Sequence, residues 1–123
     1  MARILVVDDS PTDSHKMMHL LAKHGHQVLT AATGSDGIEV ASEEQPDVIL
    51  MDLGMPRMNG YDAARHIREQ EWGKNIVLIA LTGWGQEEDR QRTKEAGFDH
   101  HLVKPAEPAV LRNLLANVSG GRP

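Results

Sequence analysis

A chain of 123 residues, 40% hydrophobic and without cysteine, fits one domain with its own core and excludes two full domains, disulfides, thiolate zinc sites and a cysteine nucleophile. Thirteen Lys plus Arg against 18 Asp plus Glu give a formal charge of -5, which opposes a phosphate backbone, and four aromatic residues offer little base stacking, so nucleic acid is excluded as a partner. The longest apolar run, Ile76 to Leu81, falls far short of the roughly 18 residues of a membrane span. The opening residues lack a basic-then-apolar signal pattern, and a cytoplasmic protein is expected.

Short β-branched runs alternate with segments of helical period from end to end, the mark of a parallel sheet covered on both faces. Strands are expected at Arg3 to Asp8, Gln27 to Ala31, Asp47 to Asp52, Asn75 to Thr82 and His100 to Lys104. Ile4-Leu5-Val6-Val7, Val48-Ile49-Leu50-Met51 and Ile76-Val77-Leu78-Ile79 lack polar alternation, so the first, third and fourth strands should be central. Gln27-Val28-Leu29-Thr30 is more mixed and suits an edge. Gly25 and Gly97 stand where a helix wants a left-handed C-terminal residue. Glu87-Glu88-Asp89 places negative charge at the start of the fourth helix, where the dipole favours it. Residues 1–118 make one domain, and 119–123 read as a flexible tail.

The polar residues that interrupt this pattern gather at the carboxyl ends of strands: Asp8 and Asp9, Asp52, Thr82 and Lys104. Ligands of open parallel sheets bind at those ends, where the strand order reverses. In the order 2-1-3-4-5 the reversal lies between strands one and three, which deliver Asp8, Asp9 and Asp52 to one crevice. Carboxylates so close repel each other unless a cation sits among them, and a hard divalent ion is implied. Mg²⁺ is held by one or two carboxylates while keeping several waters. Asp9, Asp52 and the carbonyl of Gly54 are the natural direct ligands, with Asp8 orienting a bound water. Lys104 and Thr82 supply a point charge and a hydroxyl for a phosphoryl group in transfer. The remaining oxygen of Asp52 is the nucleophile, giving an aspartyl phosphate.

With these residues in place the chain resembles a receiver domain of the bacterial response-regulator family. The signatures are Leu5-Val6-Val7-Asp8-Asp9-Ser10, Asp52-Leu53-Gly54-Met55-Pro56 with Asn59-Gly60, Thr82-Gly83, and Lys104-Pro105. Singly weak, in this order and spacing they are highly specific. The resemblance implies a doubly wound (βα)5 flavodoxin-like α/β fold and an Asp52 that takes a phosphoryl group from a histidine kinase or phosphotransfer protein. It also implies Mg²⁺ on Asp8 and Asp9, phosphate contacts from Thr82 and Lys104, a cis Lys104-Pro105 bond, and a phosphorylation-dependent switch in binding a downstream protein, with room for a phosphorylation-dependent dimer. The opening Met1 to Thr12 looks like stand-alone regulators of twitching motility, whereas Ala80 to Arg90 and Phe98 to Pro105 look like receivers attached to hybrid histidine kinases. A receiver excised from such a kinase or from a larger regulator is therefore the alternative reading. One departure stands out: where the family carries a rotating Tyr or Phe, three residues before the lysine, this chain has His101.

An aspartate-nucleophile phosphatase would need a second acid two residues after Asp52, where Gly54 stands, so a switch rather than an enzyme is expected. A flavin module would need a hydroxyl- and glycine-rich phosphate loop where Asp8 and Asp9 stand. His15 and His19 have the i, i+4 spacing of a zinc-binding helix but not the glutamate of a zinc protease, and read as solvated surface. Met17 and Met18, beside Leu20 and Leu21, read as core or helix-edge packing.

Overall fold

Five β-branched runs become five strands: β1 (Arg3–Val7), β2 (Gln27–Ala31), β3 (Val48–Asp52), β4 (Val77–Thr82) and β5 (His100–Val103). They pair in parallel in the order β2-β1-β3-β4-β5, as the sequence led us to expect. The chain, seen as a computed structural model, is described over residues 2–53, 60–83, 87–104 and 107–117. Helices α1 (Pro11–Lys23), α2 (Gly34–Glu44), α3 (Gly60–Glu69), α4 (Glu87–Ala96) and α5 (Pro108–Asn117) connect or follow the strands, and one 3-10 turn, Glu71–Gly73, precedes β4.

The two faces of the sheet bury different residues because side chains alternate along each strand. Leu5, Val7, Ile49, Met51, Leu78 and Ala80 pack against Ala41 of α2, Ala63 and Ile67 of α3, and Ala96 of α4. Ile4, Val6, Leu50, Ile79 and Leu81 pack against Leu21 of α1 and Leu111 and Leu115 of α5. Apart from Arg3, every residue of the three central strands is buried, which is why they show no polar alternation. β2, exposed at Gln27 and Thr30, is the expected edge.

Local chemistry sets the helix ends. The Ser10 hydroxyl accepts the Asp13 N–H at 3.3 Å, with Pro11 in the first turn of α1. Thr33 does the same for Asp36 at 3.0 Å. Gly25 and Gly97 take the left-handed conformation, φ +89° and +105°, as expected of residues that close a helix. α2 closes differently, on Gln45 at φ +45°, a strained choice for a side chain; Pro46 follows at once and cannot continue a helix.

β4 starts at Val77 rather than Asn75, and just ahead of it the Ile76 carbonyl accepts from Arg68 Nη1 at 2.6 Å. The same guanidinium donates to Gly73 O and Gly97 O, each at 2.9 Å, and to Asp99 Oδ2 at 2.6 Å. Asp99 Oδ2 also accepts the Leu78 N–H at 3.0 Å. One ion pair thus ties α3 to the 3-10 turn, to β4 and to the end of α4. Nothing in our reading of the sequence singled out Arg68 or Asp99.

β5 carries a polar cost. Its register pairs His100 with Ile79 and His101 with Ala80, so the two imidazoles lie on opposite faces of the sheet. Both Nε2 atoms are buried without a hydrogen-bond partner among the described residues. A buried polar group left unsatisfied costs about 1–3 kcal/mol. His101→Phe should therefore raise stability by about 1 kcal/mol in urea titration. An unchanged midpoint would show that water already satisfies the ring.

Candidate functional site

The site rests on the ends of β1 and β3. Their parallel register pairs Val7 with Met51, so Asp8 and Asp52 emerge side by side at the carboxyl edge, where β2 and β3 leave β1 in opposite directions. Asp8 stays in the frame, its N–H bonded to Ala31 O at 3.0 Å. Its Oδ1 accepts the Ser10 N–H at 2.9 Å, so Ser10 both caps α1 and fixes the Asp8 carboxylate. Asp8, Asp9 and Asp52 each offer an oxygen within 4.8 Å of the others; Asp8 and Asp52 are buried and Asp9 is exposed.

Lys104 follows β5, and its N–H donates to Thr82 O at 2.7 Å. Its Nζ lies 2.9 Å from Asp52 Oδ2. Thr82 ends β4 and is buried. The fold thus gathers four of the expected residues, Asp8, Asp9, Asp52 and Lys104, around one point, with Thr82 hydrogen-bonded to the backbone of the lysine. The expected Gly54 carbonyl ligand and the cis Lys104-Pro105 bond lie outside the described residues, as does Trp84, whose indole the sequence, with Gly83 and Gly85 on either side, places near the crevice. His101 sits upstream on β5, its Nδ1 3.4 Å from Thr93 Oγ1 of α4, a contact too long to count as a strong hydrogen bond.

Burial pushes the Asp8 carboxyl above the ordinary carboxylate pKa; the Ser10 N–H opposes this, Asp52 adds to it, and Lys104 opposes it. Burial alone would lower Lys104, but its hydrogen bond to Asp52 and the charges of Asp52 and Asp8 outweigh it, and its pKa is raised. The sign for stability follows. A carboxyl raised in the folded state favours folding at low pH and loses that contribution as pH rises through the raised value. Without divalent cations, Asp8→Asn is therefore expected to raise the melting temperature at pH 7 by a few degrees. The gain should vanish near pH 4, as thermal unfolding in EDTA would show. The Lys104 contribution, present at neutral pH, is lost only above the ordinary lysine range.

The donor set suits a hard cation: three carboxylates meet there, two desolvated by burial, with one ammonium to balance three negative charges. Two clefts flank the cluster. One of about 300 Å³ runs from Asp8 and Lys104 along Lys16, Met17 and Leu20 of α1. The other, about 280 Å³, runs from Asp8 and Asp9 along the opposite side of α1 to Thr30.

Comparison with known proteins agrees with this geometry. The chain is 43% identical to protein PilH of Pseudomonas aeruginosa, over 98% of this chain and all of PilH. Chemotaxis protein CheY4 of Vibrio cholerae superimposes with a TM-score of 0.91 at 35% identity, over 96% of this chain and 98% of that one. The receiver domain of the sensor histidine kinase PA1611 of Pseudomonas aeruginosa, solved with a magnesium ion coordinated in its active-site cleft, gives 0.89 at 34% identity over 97% and 98%. Both stand-alone and kinase-attached receivers are thus similar to it, as its two halves suggested. No described helix is long and apolar enough to cross a membrane. The model of the response regulator receiver domain matches residues 4–116, and the strand-end carboxylates with their lysine lie within that span: the chain belongs to the response regulator receiver domain family.

Proposed function

We propose that Asp52 accepts a phosphoryl group from a histidine kinase or phosphotransfer protein and that the modified chain changes its affinity for a downstream protein. The observation that carries this is the buried Asp52 carboxylate with Lys104 Nζ at 2.9 Å and with oxygens of two further carboxylates within 4.8 Å. One oxygen of Asp52 attacks the phosphorus in line, and the bond to the donor nitrogen breaks. Lys104 holds a phosphoryl oxygen, and the Thr82 hydroxyl donates to another. Asp8, Asp9 and Asp52, with the Gly54 carbonyl, would hold Mg²⁺, which offsets negative charge on the phosphoryl oxygens. The chain turns over no external substrate on this reading, and His101 takes the place of the family's switch aromatic.

Incubation with a purified histidine kinase, ATP and Mg²⁺ should add one phosphoryl mass to the chain. No added mass with any donor, including a small-molecule phosphodonor, would end the proposal. Thr82→Ala and Lys104→Ala should still label, because the nucleophile is intact, yet each should lose most of the change in partner affinity. Partner binding like that of wild type by both phosphorylated variants would remove them from the response.

A further inference from the structure

α1 separates two methionines that are neighbours in sequence. Met17 packs against the buried cluster around Leu21 and Leu111. Met18 joins neither core cluster among the described residues; it is half-buried and lines the 280 Å³ cleft together with His15. Core or helix-edge packing was expected of both methionines; Met17 joins the core margin, and half-buried Met18 lies at the helix edge, facing the cleft. His15 and His19 are both exposed. On this 13-residue helix with a capped start, His15 has Met18 (i+3) and His19 (i+4) as neighbours one turn on, with Met18 beside it in the cleft and His19 outside the cleft lining.

We propose that His15, Met18 and His19 form a second metal site, selective for a soft monovalent ion, Cu(I). Two imidazole nitrogens and a thioether sulfur satisfy an ion content with two or three ligands, and the thioether favours Cu(I) over harder ions. The site is chemically distinct from the carboxylate cluster, which offers only oxygen. The chain has no cysteine, so no thiolate competes for the ion. The helix fixes the spacing, and exposure of both imidazoles leaves their nitrogens free to turn toward one ion.

The test is an anaerobic titration of the full chain with Cu(I) against the chromophoric chelator bicinchoninate. One equivalent should be withdrawn, and excess Mg²⁺ should not release it. His15→Ala/His19→Ala should weaken retention by about tenfold or more, the scale of a lost ligand. Met18→Leu should weaken Cu(I) retention while leaving the weaker binding of Ni²⁺ to the histidine pair unchanged. His24→Ala, exposed just beyond the helix end, should match wild type. The substituted histidines are at the surface, so circular dichroism should confirm an unchanged fold. Retention by the double variant equal to wild type overturns the site, and equal retention by Met18→Leu overturns the thioether ligand and with it the preference for Cu(I).

Discussion

Asp52→Asn is expected to abolish phosphorylation, with labelling by a small phosphodonor falling at least about a thousandfold, to background. The amide keeps the shape of the carboxylate and can still accept from Lys104 Nζ, which lies 2.9 Å from Oδ2 in the unaltered chain. It lacks the anionic oxygen that attacks phosphorus. Its removal also relieves Asp8, whose carboxyl is pushed up by burial first and by the Asp52 charge among the lesser causes. The variant should therefore fold, and intact-protein mass spectrometry in Mg²⁺ reads the chemistry alone. Full labelling of Asp52→Asn would move the acceptor elsewhere. Asp9→Ala should lose the Mg²⁺ dependence of labelling for a different reason, since it withdraws the exposed carboxylate of the cluster and leaves the nucleophile in place.

Asp99→Ala is expected to destabilise the fold strongly, by about 3 kcal/mol, because it leaves a largely buried guanidinium without its carboxylate. The side chains of Arg68 and Asp99 are 12% and 7% exposed, so water replaces the lost partner poorly. The Leu78 N–H would lose its acceptor too. Arg68→Met should cost a similar amount, since it withdraws donors from Gly73, Ile76 and Gly97 as well as from Asp99. Replacing both partners with apolar residues should cost less than the sum of the single changes, because no unpaired charge then remains. Urea titration of the two single variants and the double variant measures the coupling. An Asp99→Ala loss below about 1 kcal/mol would place this pair with exposed ion pairs instead. Since Arg68 also holds the Gly97 carbonyl at the end of α4, hydrogen exchange in that helix should quicken in Arg68→Met.

Which strands are central and which sheet edge bears the site were legible in the sequence because both follow from local pattern, whereas the full strand order came with the family resemblance. Unbroken apolar runs such as Val48-Ile49-Leu50-Met51 can only be covered on both faces, and a polar residue ending such a run must lie at a strand end. The spacing of Asp8, Asp52, Thr82 and Lys104 therefore carried most of the candidate site. Strand boundaries were less legible, since β4 begins only where Val77 comes opposite Val48, and the apolar Ile76 before it instead gives its carbonyl to the Arg68 guanidinium. Tertiary structure alone decided what depends on distance through space. It paired Arg68 with Asp99 across 31 residues of chain, sent Met17 inward while Met18 faced a cleft with His15, and left the Nε2 atoms of His100 and His101 buried without partners. Sequence period fixes which face of an element a residue occupies, but only packing determines what that face meets, because a charge or a thioether is satisfied or stranded by neighbours from other elements.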